Sequence, residues 1–75
     1  GEWAVDAGAR SLAIEADGDL WAACRDANTL VELGPDGTRK RTVPTGPLPF
    51  DLAIDEEGRI WFATEGDGNL HLYVP

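Results

Sequence analysis

Seventy-five residues allow one small domain, at a size where apolar burial and the cost of ordering the chain nearly cancel. A single cysteine excludes an intramolecular disulfide, and no Cys/His set has the spacing of a zinc site, so no metal or other cofactor is expected. Fourteen acidic residues against six basic ones leave a net charge of −8, which excludes nucleic acid as a partner, since phosphate neutralisation needs a basic face.

In chain order, Leu12–Glu15 is a short apolar run ending in an acid, and Asp17-Gly18 marks a tight turn. Leu20–Cys24 follows as a second strand, Arg25–Asn28 as a polar loop, and Thr29–Leu33 alternates as a third strand. Gly34-Pro35-Asp36-Gly37 is a turn, and Thr38–Val43, with the basic cluster Arg39-Lys40-Arg41, reads as an exposed polar edge strand. The sequence then starts again. Asp51–Asp55, the turn Glu57-Gly58, Ile60–Thr64, the loop Glu65–Asn69 and Leu70–Val74 repeat the order strand, turn, strand, loop, strand. Nine glycines and five prolines leave no window for a ten-residue helix, so the chain is all-β. No apolar run approaches the ~18 residues of a membrane span. No basic segment followed by an apolar core opens the chain, so no signal peptide is expected.

The two halves superpose at an offset of 40 residues: positions 12–35 against 52–75 share eight identities in 24. They include Leu12/Leu52, Ile14/Ile54, Gly18/Gly58 and Trp21/Trp61. A four-stranded repeat of ~40 residues is the size of a β-propeller blade. The segments Ala13–Trp21 (AIEADGDLW) and Ala53–Trp61 (AIDEEGRIW) resemble the repeats of the virginiamycin B lyase family. They are also similar to NHL-repeat and gluconolactonase-type propellers, and Val43–Asp55 resembles the lyase-type link from an outer strand to the next inner one. First and second strands that are apolar on both faces suit blades stacked face to face, with Trp21, Trp61, Leu12, Ile14, Leu52 and Ile54 packing between them.

At the same offset Gly1–Val5 aligns with Arg41–Thr45, so Glu2–Val5 is expected to be a fourth strand. The phase then reads as a strand completing a blade (1–6), a blade (7–45) and a partial blade (46–75), two blades in a circularly shifted order. Two blades cannot curl into a ring, and four to eight are typical. A homo-oligomer closed head to tail is therefore expected. Three chains with six blades are favoured over four with eight, because Ala13, Ala22, Ala23, Ala53 and Ala63 let blades approach closely near the axis. Such a short, shifted unit is expected to be engineered, reconstructed or excised from a larger repeat protein. A piece of a lyase-type enzyme and a small lectin-like binding module are the alternatives.

The lyase resemblance implies catalysis by His and Glu near the central channel with a magnesium ion. The one histidine, His71, aligns with Val31 on a third strand, so that motif does not carry over and no catalysis is expected. Cys24 is expected to be free and buried. Acid groups such as Asp17 with Asp19, or Glu65 with Asp67, lack the spacing of a calcium loop. The best ligand face carries the links into inner strands and the loops between second and third strands, with Arg10, Arg25, Asp26, Phe50, Asp51, Glu65 and Asp67. Copies of these around one channel would suit a small polar ligand.

Overall fold

The computed structural model describes residues 1–75 and contains two antiparallel sheets. The first has the order β1 (Ala9–Ile14), β2 (Leu20–Cys24), β3 (Thr29–Leu33), β4 (Arg39–Pro44). The second has β5 (Pro49–Ile54), β6 (Ile60–Thr64), β7 (Asn69–Tyr73). The 40-residue repeat is carried through to register: Leu12 faces Ala22 as Leu52 faces Phe62, and Ala22 faces Val31 as Phe62 faces His71. Even the irregularity repeats, with a ladder shift at Arg10 and another at Phe50.

Each first hairpin is held by its acid. The Asp55 carboxylate accepts bonds from the backbone N–H of Glu57 (2.9 Å) and Arg59 (3.0 Å), from Arg59 Nε (2.7 Å) and from the Trp61 indole N–H (2.9 Å). Glu15 takes the Trp21 indole N–H in the same way. In the second hairpin one carboxylate is thus a staple that closes the turn and satisfies an indole donor, whereas in the first the indole goes to Glu15 and the turn's Asp19 N–H to Asp17. Gly18 and Gly58 sit in that turn at φ +97° and +77°, where a side chain would be strained.

The sheets pack face to face, and β5 lies against both β1 and β2. Trp21, Ala23 and Leu30 of the first sheet form one buried cluster with Leu52, Ile60 and Phe62 of the second; Ala13, Val43, Ile54 and Tyr73 pack around it. The Trp21 and Tyr73 rings lie 5.9 Å apart and tilted. Of the six residues expected between blades, Trp21, Leu52 and Ile54 are there. Leu12, Ile14 and Trp61 are not, because the two sheets meet through opposite faces. Leu12 and Ile14 point away from the junction and are 64% and 68% exposed. Trp61 is half-buried on the far face of the second sheet, beside Ala53, Ala63 and Leu70.

The first five residues form no strand within the single chain. They lie instead across the outer face of the first sheet. Val5 packs on the buried cluster of Ala22, Cys24, Val31 and Leu33. Trp3 lies near Leu20 and Leu33 and so close to Gly37 that a Cβ there would collide with the indole. Asp6 anchors the segment, accepting from Thr29 Oγ1 (2.8 Å) and pairing with Arg39 (3.1 Å).

Candidate functional site

One end of the two sheets gathers the start of β1, the β2–β3 loop, the β4–β5 link and the β6–β7 loop. Backbone bonds lock these together: Arg25 N–H to Gly8 O, Thr45 N–H to Asn28 O and Glu65 N–H to Leu48 O. Asn28, in the left-handed region at φ 58°, accepts the Leu48 N–H through its side chain. The ladder shifts at Arg10 and Phe50 free both residues from strict alternation at this end, and both are exposed.

Arg25 and Glu65 occupy equivalent repeat positions and meet across the sheet junction at 2.7 Å. The ion pair holds the Glu65 carboxyl below its usual range and raises Arg25, while Arg10 adds a weaker pull on Glu65. Asp26 pairs with the other side of Arg25 at 3.5 Å. Ser11 and Asp51, again equivalent positions, face each other at 3.5 Å. The structure therefore brings Arg25, Asp26 and Glu65 together, with Arg10 in electrostatic reach. Phe50 lines a shallow hollow beside Glu65 and Leu70. Asp67 serves the loop itself: its carboxylate accepts from Thr64 Oγ1 and from the Asn69 N–H, which lowers its pKa. Neither residue's local sequence encodes the Arg25–Glu65 pairing; their spacing of 40, the repeat length, is the signal that finds it.

Other reactive side chains have structural employment. His71, in mid-strand, stacks on Phe62 at 4.9 Å and lies 3.0 Å from Thr64 Oγ1. Cys24 is fully buried and free, and burial pushes its thiol up, away from the reactive thiolate. The carboxylates of Glu15, Asp17 and Asp19 converge, but Glu15 holds the Trp21 indole and Asp19 is paired with Lys40 at 2.6 Å. The basic cluster lies on an exposed edge strand, as expected, and its side chains are ion-paired. Arg39 pairs with Asp6, Lys40 with Asp19 and Arg41 with Glu32 (2.9 Å), so acids from three other segments neutralise it. The last two acids are buried, and burial raises the pKa of Glu32.

The family model for the two component regulator propeller matches residues 44–66, the span from the end of β4 through β6. Solved structures superpose on most of the chain. The fold is that of β-propeller blades. A protein of unknown function from Bacteroides caccae aligns with TM-score 0.75 and 16% identity, over 84% of this chain and 23% of that one. A streptogramin B lyase aligns with TM-score 0.70 and 23% identity, over 93% of this chain and 27% of the lyase. Virginiamycin B lyase from Staphylococcus aureus gives 0.68 and 21%, over 91% and 27%. The chain thus spans about a quarter of the length of these structures. No curated protein matches the sequence. The first blade has four strands and the second three, with the outer edge of β7 unpaired.

Proposed function

We propose that the chain is a two-blade unit that assembles head to tail into a closed propeller, three chains making six blades, and that it is a scaffold without catalysis of its own. The observation that carries this reading is the pair of apolar end faces. One face bears Leu12, Ile14, Leu20 and Leu33, the other Ala53, Trp61, Ala63 and Leu70. Each is the repeat equivalent of a face already buried in the chain's own blade junction. A contact between unlike faces, repeated, closes a ring or runs on as a filament. β1 lies against β5, and the small Ala13 and Ala23 of the first sheet pack at this junction, which favours the tight ring.

Residues 2–5 then supply the fourth strand of the preceding copy's second blade, pairing with β7. Their position supports this: Trp3, equivalent to Val43, lies near Leu20 and Leu33, as Val43 packs in the cluster with Ile60 and Tyr73. Around the ring Arg25 and Glu65 would alternate, which suits a small polar ligand at the channel mouth. Amide hydrogen exchange tests the strand. Protection of residues 2–5 and of Asn69–Tyr73 should rise together with protein concentration. Fast exchange of residues 2–5 at every concentration would contradict the reading.

The likeness to streptogramin B lyase favours one other reading, a piece of a lyase-type enzyme whose further blades cover the same faces. His71 lies in mid-strand against Phe62 and Thr64, which gives that chemistry no base at the mouth.

A further inference from the structure

A cavity of about 310 Å³ opens on the outer face of the first blade, lined by Leu12, Leu20, Ala22 and Leu33, with Trp3 and Val5 as one wall. Shifted by the 40-residue repeat, those four sheet residues become Leu52, Ile60, Phe62 and Tyr73. All four belong to the cluster in which Trp21 is buried. Trp61 is the repeat equivalent of Trp21 and stands half-buried on the opposite end face. We infer that this cavity is the socket for Trp61 of a second copy, an inference that rests on the head-to-tail reading above and names the contact that specifies it.

Volume and charge both fit. Ala22 and Leu33 are smaller than Phe62 and Tyr73, so the socket is roomier than the seat of Trp21 in the chain's own junction. Trp3, standing at the repeat position of Val43, supplies the missing bulk. Close-packed junctions need such compensation. Polar partners follow the same rule. The internal junction pairs Arg25 with Glu65 and Ser11 with Asp51. With Trp61 seated, the next junction sets Glu65 and Asp51 of one copy beside Arg25 and Ser11 of the other. Neither junction opposes like charges at these positions, so a second copy is the complementary occupant.

Two variants with opposite defects test the socket. Trp61→Ala removes the knob from a half-exposed site. Leu12→Glu places a charge in the socket at a position 64% exposed in the single chain, which spares the fold. Each alone should lose the parental assembly and give the mass of one chain, with its circular dichroism unchanged. Mixed in equal amounts at high concentration, they should form a one-to-one complex and nothing larger, because only one intact knob and one intact socket are available. Parental mass for either variant, or no complex in the mixture, would overturn the socket while leaving the ring reading standing. A parent chain with the mass of one chain at every concentration would overturn the ring reading itself. Should Trp61→Ala fail to fold, Leu12→Glu with the parental mass still decides against the socket.

Discussion

Asp55 shows how much one side chain contributes here: four donors converge on its two oxygens, and they hold its carboxyl far below the usual carboxylate range, the Trp61 indole foremost. A depressed folded pKa means stability that is present above the ordinary carboxylate value of about 3.9 and lost as pH falls toward the folded value. Asp55→Asn should therefore melt below the parent at neutral pH, and the gap should close as pH drops below about 4. A gap that widened on acidification, followed by thermal melting across pH, would rule out the charged staple. Trp21 and Trp61 look alike in sequence but differ in setting, since only Trp21 is fully buried within the single chain. Trp21→Ala should cost about 3–5 kcal/mol, enough to unfold so small a domain, as loss of the β-sheet spectrum would report. Trp61→Ala should leave the spectrum intact. The sequence revealed that both indoles are equivalent; which one is covered depends on where the chain places its two faces, and no local pattern encodes that.

Among the elements, β2, β3 and β6 fall where the alternation puts them, because their residues are apolar and bounded by loops with clear polar signals. β1 and β5 begin three and two residues earlier than the apolar runs suggest. The cause is the shared ladder shift at Arg10 and Phe50, which inserts residues that break alternation without ending the strand. Residues 2–5 were legible as a strand only through the repeat, and the single chain leaves them unpaired. The basic run on β4 hid its role for a related reason: its partners Asp6, Asp19 and Glu32 are remote in sequence. The turn glycines give a test at this scale. Gly18→Ala and Gly58→Ala should each cost about 1–2 kcal/mol for a left-handed backbone. Gly18→Ala should be the worse, because a Cβ there also presses Pro35 at 3.3 Å whereas at Gly58 it meets nothing. Chemical denaturation that ranked them the other way would mean the hairpin turns are not built as described.

For the molecule as a whole, the two-blade body solves only half of its burial problem. It covers Trp21, Leu30 and Ile60 completely, yet leaves Leu12, Ile14, Leu70 and Val74 each more than half exposed at its ends. The proposed ring closure would remove both faces at once and supply β7 with a partner. Charge gives no reason to expect strong salt dependence, since the proposed contact would be apolar at its centre, with ion pairs like the exposed Arg25–Glu65 pair at its rim. Light scattering coupled to gel filtration is the most direct measurement. The account predicts one species at three times the mass of the chain, unchanged from low to high salt. A folded, monodisperse species with the mass of one chain would contradict it.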